Sequence, residues 1–293
     1  MNWVENQDSL NPIKRLVLGI VLVGAGWLAT VAPNPPAPAP ADAPVGEFSA
    51  ERAFVHVRSI AQTPHPFGSP ASAAVGDYIS GQLRALGLAV QMQSFPYHQG
   101  GREVTGVNLM VRIPGVRQAN RPAGAVALVC HHDSVPTGPG ASDDGAAVAA
   151  LLETARALKA GPRLQNDIIL LFTDGEEVHL AGARAFTAES PWMEKIGLVL
   201  NFEARGVSGP VFMFETSAGN GRVIREFARA APRPVANSLM FEVYRYMRNY
   251  TDFAAFEEAG LPGLNFAFIG DAQHYHAPTD DVAHLRNHIP VQL

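Results

Sequence analysis

The sequence predicts an α/β fold, with a mostly parallel central sheet and helices on both faces. Three observations support this prediction. Strand-like and helix-like segments alternate along most of the chain, which is typical of parallel strands joined by crossover helices. Residues 168–172 read Ile-Ile-Leu-Leu-Phe, and a continuous apolar run of this kind indicates a strand buried on both faces. The chain has 293 residues, 47% of them hydrophobic, which is enough for one large domain with a full core.

The N-terminal region has the features of a targeting segment. Residues 16–32 are apolar or small and uncharged, and their length lies between that of a signal-peptide core and that of a spanning helix. Lys14 and Arg15 precede this run, so the positive-inside rule places residues 1–15 in the cytoplasm and the rest outside. We therefore expect a transmembrane anchor or a cleaved signal segment, and an extracytoplasmic or secreted domain.

The next segment, residues 33–47, is rich in Pro and Ala and is expected to form an extended linker. The folded domain then covers residues 48–293. Ser49 is a plausible N-cap for a first helix. A second helix is predicted over residues 71–87, ending at Gly87 as helices often do.

Strands and helices then alternate to the end of the chain. Predicted strands cover residues 89–97, 106–113, 125–131, 167–173, 197–203, 210–215, 239–244 and 264–269. Predicted helices cover residues 144–160, 181–189, 220–231 and 252–260. In such folds, binding sites form where the parallel strands end at their carboxyl edge.

Composition excludes several classes of protein. The net charge is −5 and no basic patch is evident, so no nucleic-acid partner is expected. Cys130 is the one cysteine, which excludes a disulfide within the chain and a Cys-rich zinc site. Its place in an apolar run favours a small buried side chain.

Histidines and carboxylates stand at the carboxyl ends of several predicted strands and at the start of one helix. They are His131, His132 and Asp133; Asp143 and Asp144; Asp174, Glu176 and Glu177; Glu203; and His274 and His276. Each motif alone has a structural explanation, such as a helix cap, a solvated turn or a buried ion pair. Neighbouring carboxylates repel and are costly to bury unpaired, so we expect cations between them. Nitrogen and oxygen ligands of this kind suit a pair of zinc ions.

In these segments the chain resembles the M28 family of zinc peptidases, the aminopeptidase group with a phosphorylase/hydrolase-like fold. The resemblance is carried by residues 131–153, 172–186, 201–206, 251–269 and 274–281, and it spans roughly residues 50–285. It is most like the membrane-attached branch, in which Glu replaces Asp in the third segment. The loop HPFGSP, residues 65–70, also resembles that branch but has no assigned role.

The resemblance implies two zinc ions per chain. In this interpretation His131 and Glu203 hold one ion, Glu177 and His276 hold the other, and Asp143 is shared. Asp133 orients the ring of His131. Glu176 is the general base, which takes a proton from an activated water and passes it to the leaving amine. His132 is then a spacer and His274 a bystander.

The implied function is a zinc-dependent exopeptidase acting on peptides, with an aminopeptidase favoured. Two alternatives stay open: a glutaminyl-cyclase-like acyltransferase, which usually works with one zinc, and a non-catalytic receptor-like ectodomain. Asp174 is expected to be structural, Asp252 to cap a helix with Thr251, and Tyr244, Tyr246 or Tyr250 to be candidates for stabilising an oxyanion. The chain ends 17 residues after His276, where the family domain usually continues, so a truncated C-terminus is expected. The oligomeric state is left open.

Overall fold

Seven strands form one mixed sheet in the computed structural model, which describes residues 12–31, 37–116, 124–247 and 250–285. The order across the sheet is β1-β2-β4-β3-β5-β7-β6. The strands are β1 Gln91–Gln99, β2 Arg102–Ile113, β3 Ala125–His131, β4 Ile168–Thr173, β5 Ile196–Ala204, β6 Ser208–Thr216 and β7 Gly263–Gly270. The central four, β4, β3, β5 and β7, are parallel, whereas β1, β2 and β6 are antiparallel additions at the edges. The predicted fold class is confirmed.

Helices cover both faces of the sheet. They are α2 Ala50–Ile60, α3 Pro70–Ala85, α4 Gly145–Ala160, α5 Ala181–Glu189, α6 Gly221–Ala230, α7 Ser238–Tyr246 and α8 Asp252–Glu258, preceded by α1 Pro12–Val31. The chain forms two compact units, Met1–Asn34, which contains α1, and Pro35–Leu293. Of the helices that lie in the described ranges, none is both long enough and apolar enough to cross a membrane.

Strand β4 explains how the two halves of the core are joined. Leu170 and Phe172 point into the cluster beneath α2, α3 and α4, while Ile169 and Leu171 point into the cluster beneath α5 and α8. All four side chains are fully buried. Successive side chains of a strand point to opposite faces of the sheet. A strand with helices on both faces therefore needs apolar residues at every position. The edge of the sheet at which β4 ends is therefore fixed from both sides.

Local capping signals set the ends of the first helices. The side chain of Ser49 accepts a hydrogen bond from the backbone N of Arg52 at the start of α2. Ser69 does the same for Ser72 at the start of α3, where Pro70 occupies the first turn. Gly87 has φ +71° just beyond α3, the left-handed conformation that commonly ends a helix.

The segment before α2 lies against α2 and α4. Arg52 donates hydrogen bonds to the carbonyls of Ala41 and Ala43. Arg156 donates to the carbonyls of Val45 and Glu47. Both arginines also pair with Glu153 of α4, whose side chain is buried. These contacts hold residues 41–47 along the folded domain.

The strand predicted over residues 239–244 is wrong, because these residues lie in helix α7. The side chain of Asn237 accepts from the backbone N of Met240 and caps the helix. Tyr244 packs edge-on against Phe214, with ring centroids 4.6 Å apart. A six-residue run with five apolar side chains fits a strand or a helix equally well, and the cap at Asn237 was the signal that distinguished them.

Candidate metal centre

The predicted site residues meet at the carboxyl edge of the parallel strands. His131 is the last residue of β3, and Glu203 lies near the end of β5. Glu176 and Glu177 follow β4, Asp143 precedes α4, and His276 follows β7. Although these residues span most of the domain sequence, the sheet topology delivers them to one edge.

A glycine turn after β4 positions the two glutamates. Gly175 has φ +81°, and a Cβ at this position would lie 2.7 Å from Cδ2 of Phe67, so only glycine fits. The turn directs the backbone N–H groups of Glu176 and Glu177 at the carboxylate of Asp133, with N–O distances of 3.1 and 3.3 Å.

Asp133 also fixes the ring of His131. Nδ1 of His131 lies 3.0 Å from the backbone O of Asp133 and 3.3 Å from its Oδ1. Since both neighbours are acceptors, Nδ1 carries a proton, and Nε2 is the ring atom that faces the site. Asp133 therefore links the first histidine to the glutamate turn.

Asp143 lies between the two histidines. Its Oδ1 is 3.2 Å from Nε2 of His131, and its Oδ2 is 3.1 Å from Nε2 of His276. Glu203 approaches the His131 side, with Oε2 3.7 Å from Nε2 of His131. Glu177 approaches the other side, with Oε1 3.2 Å from Nε2 of His276. The structure thus brings all five predicted ligand residues together in two sets that share Asp143.

The hydrogen bonding of these atoms fits bound cations. Nε2 of His276 and Oε1 of Glu177 are buried and, within the described residues, form no hydrogen bond despite their 3.2 Å separation. Atoms that face each other closely without hydrogen-bond geometry are arranged to face a common third atom. His nitrogens and carboxylate oxygens are the donor set that zinc accepts. His276 also has φ +56°, a backbone conformation that few non-glycine residues adopt and that occurs often at functional sites.

Asp144 is an additional candidate ligand that sequence reasoning took for an ordinary helix start. It makes no side-chain cap hydrogen bond, although it is the N-cap residue of α4. Its Oδ2 accepts from the backbone N of His131 at 3.2 Å, and its buried Oδ1 has no partner among the described residues. Ligand atoms of Asp144, His131 and Glu203 lie within 4.8 Å of one another.

The electrostatics of the site favour bound positive charge. Burial raises the pKa of Glu176 well above its ordinary value, and the nearby charge of Glu203 raises it further. Burial also raises the pKa of Glu177 to about 7. Burial alone would raise the pKa of Asp143, but the close approach of the His131 and His276 rings to its carboxylate holds the pKa below its usual range. Without metal, the site therefore retains protons near neutrality, and cation binding would release them.

Three residues that support the ligands had no predicted role. Asp280 accepts from the backbone N–H groups of Ser142 and Asp143, at 2.8 and 3.1 Å, and fixes the loop before α4. Arg205 donates to the hydroxyl of Tyr275 and lies over its ring. The Tyr275 ring stacks on His276 with centroids 3.8 Å apart, so Arg205 supports the last ligand through Tyr275.

The other aspartates serve the framework of the site. Asp174 accepts from the backbone N of Val107 at 3.0 Å and from the hydroxyl of Ser72 at 3.4 Å, which joins β4 to β2 and α3. Thr251 caps α8, as expected. Asp252 does not share that cap: it is buried and accepts a hydrogen bond from the hydroxyl of Thr173.

Comparisons with known proteins agree on one family. A family model described as "Peptidase family M28" matches residues 108–290. The "Vacuolar membrane protease" of Schizosaccharomyces japonicus is 31% identical over 250 residues, which are 80% of this chain and 29% of that protein. The "Endoplasmic reticulum metallopeptidase 1" of Rattus norvegicus is 36% identical over 160 residues, 53% of this chain and 18% of that protein. The chain thus spans less than a third of the length of these relatives.

Solved structures share the fold at lower identity. An aminopeptidase from Aneurinibacillus sp. strain AM-1 has a TM-score of 0.67 at 13% identity, covering 83% of this chain and 91% of that one. A glutaminyl cyclase from Porphyromonas gingivalis has a TM-score of 0.64 at 22% identity, covering 83% and 93%. The fold is therefore shared by enzymes of two different activities.

Proposed function

The chain belongs to peptidase family M28, and from that premise we propose that it is a zinc-dependent exopeptidase acting as an aminopeptidase. The observation that carries the proposal is the position of Asp143, whose two oxygens face His131 and His276 at 3.2 and 3.1 Å. This arrangement supports two metal positions that share one carboxylate. Zinc bound there would supply a Lewis acid and an activated water.

The residues of the chain would then have separate tasks. His131 and Glu203 hold one ion, Glu177 and His276 hold the other, and Asp143 contributes to both. Glu176 takes a proton from the attacking water and returns it to the nitrogen of the leaving amine. Burial raises the pKa of Glu176 above the ordinary value of a glutamate, which is the direction that a general base needs.

The supporting residues keep this geometry rigid. Asp133 holds His131 in the tautomer whose Nε2 lone pair faces the site, and accepts from the backbone of both glutamates. Asp280 holds the backbone of Asp143. Ligands held by such outer partners lose less entropy on binding a metal.

A glutaminyl-cyclase-like acyltransferase on the same fold is the alternative. The presence of two ligand sets around Asp143 favours the peptidase, because the alternative chemistry usually needs one zinc. A receptor-like ectodomain without activity is a third hypothesis. An activity assay distinguishes it from the two enzymatic hypotheses.

The test is zinc analysis of the purified full chain together with a panel of aminoacyl amides. We expect about two zinc ions per chain and release of the N-terminal residue, with N-acetylated copies of the same substrates left intact. One zinc ion with cyclisation of N-terminal glutamine would favour the acyltransferase. Full zinc loading without turnover of any substrate in the panel would favour the receptor-like ectodomain.

Membrane association is a separate part of the proposal. It is supported by the apolar run at residues 16–32 and by relatives named as membrane proteases. We expect the full chain to sediment with membranes, with the domain outside the cytoplasm, and the chain from Pro35 onward to be soluble. Cell fractionation with protease protection checks this. Recovery of the unprocessed full chain in the soluble fraction would contradict it.

A further inference from the structure

A cavity of about 180 Å³ lies between α3, β2 and the ends of β3 and β4. We refer to it as the α3 pocket. Ser72, His132 and Asp174 form its buried floor, while its rim is exposed. Its lining includes none of the five proposed metal ligands. Gly68 and Ser69 of the HPFGSP loop also line the pocket, and this loop has no role in the proposed reaction.

The floor of the α3 pocket contains a buried nitrogen without a partner. His132 is 3% exposed, and its Nε2 lies 3.1 Å from the carbonyl of Val107. A carbonyl only accepts, so Nε2 carries the proton and Nδ1 is an acceptor. Nδ1 has no hydrogen-bond partner among the described residues. Cε1, which lies between the two nitrogens of the ring, is 3.9 Å from where a Cβ of Gly76 in the pocket wall would lie, and His132 belongs to the lining of the pocket.

The other polar groups of the pocket are two carboxylates, which only accept hydrogen bonds when ionised, and the hydroxyls of Ser69, Ser72 and Thr105. The carboxylate of Asp174 lies on the floor, where Ser72 and the backbone N of Val107 donate to it. Asp77, on α3, places a second carboxylate at the exposed rim. A ligand that satisfies Nδ1 of His132 must donate a hydrogen bond, and one that balances two carboxylates must be positively charged.

The remaining walls are apolar or small, with Ala73, Met92 and Leu109 beside Gly76. A cavity of about 150 Å³ is large enough for benzene, so this pocket accommodates a short alkyl chain. Polar groups at one end and apolar walls at the side suit a molecule with a charged head and a hydrocarbon tail.

We propose that the α3 pocket binds a primary alkylammonium group. The ammonium donates to Nδ1 of His132 and to the carboxylate of Asp174, and the alkyl chain lies along Gly76 and Leu109 toward the rim near Asp77. A free small amine supplies this chemistry. The site is separate from the proposed reaction, and its occupancy does not depend on turnover.

Two glycines of α3 provide a matched test. A leucine at Gly76 would extend into the pocket, and its Cβ would meet nothing closer than 3.9 Å. A leucine at Gly81 on the same helix would enter open space. Both substitutions replace glycine in a helix with a better helix former, so both variants should fold.

The experiment measures binding of n-butylammonium to the zinc-loaded full chain by calorimetry, with n-butanol as the uncharged probe. We expect butylammonium to bind at least tenfold more tightly than butanol, to lose at least tenfold in affinity in Gly76→Leu, and to bind Gly81→Leu like wild type. Asp77→Asn should weaken binding several-fold. In histidine-¹⁵N-labelled protein, the Nδ1 signal of His132 should shift on adding butylammonium to wild type but not to Gly76→Leu.

The result that overturns the proposal is equally specific. Equal affinity of Gly76→Leu and wild type would place any amine binding elsewhere, including the metal centre. Equal affinity for butanol and butylammonium would remove the charge argument. If a crystal soaked with butylammonium showed only water at Nδ1 of His132, the pocket would be a hydration site and not an amine site. None of these outcomes bears on the peptidase assay.

Discussion

The variant Glu176→Gln is expected to lose about 10²–10⁴-fold in kcat while binding as much zinc as wild type. Glutamine keeps the size of the side chain and the backbone hydrogen bond to Asp133, but its amide does not accept a proton from water. Because Glu176 is not among the proposed ligands, metal content should not change. Steady-state hydrolysis of an aminoacyl amide and zinc analysis of the same sample measure the two quantities.

Two further variants sharpen this result. Glu177→Gln changes the neighbouring residue and should lower zinc content as well as rate, because Oε1 of Glu177 faces His276. Glu258→Gln changes an exposed glutamate paired with Arg184 and should change neither. If Glu176→Gln kept more than a tenth of wild-type kcat, the proton transfer would have to be assigned to another group.

Much of the fold could be predicted because burial on both faces leaves a strong sequence pattern. A strand was predicted over residues 167–173, and residues 168–173 form β4, whose side chains fill both halves of the core. Antiparallel additions leave weaker patterns. β2 begins at Arg102 rather than at Gly106, because Gly100 and Gly101, both with positive φ, form a tight hairpin turn with β1.

The convergence of the proposed ligand residues was predictable for a related reason, whereas the role of each residue came from the resemblance to the family. In a parallel sheet, the carboxyl ends of adjacent strands share one edge, so His131 at the end of β3 and Glu177 just after β4 must lie near each other. The supporting residues were not predictable in this way. Asp280 reaches Ser142 across 138 positions of sequence, and that contact depends on how two loops fold. The pairing of Arg205 with Tyr275 likewise depends on side-chain reach rather than on spacing along the chain.

Asp143→Asn is expected to lower zinc content from about two ions per chain to below one and to abolish hydrolysis. The carboxylate of Asp143 has one oxygen toward His131 and one toward His276. Asparagine keeps a single acceptor oxygen and no charge, so one ligand set loses a donor atom and the other loses the negative charge of its shared ligand. Its backbone contact with Asp280 does not involve the side chain, and the loop should keep its conformation.

The neighbouring variant Asp144→Asn decides which aspartate is shared. Asp144 lies near His131 and Glu203 but is not grouped with His276 or Glu177. Its replacement should therefore leave the ion held by Glu177 and His276 in place, so that zinc content stays at one or more. Zinc titration of both variants, followed by mass spectrometry under native conditions, measures the difference. If Asp144→Asn lost both ions while Asp143→Asn kept one, the shared carboxylate would be Asp144, and the roles of the two adjacent residues would have to be exchanged.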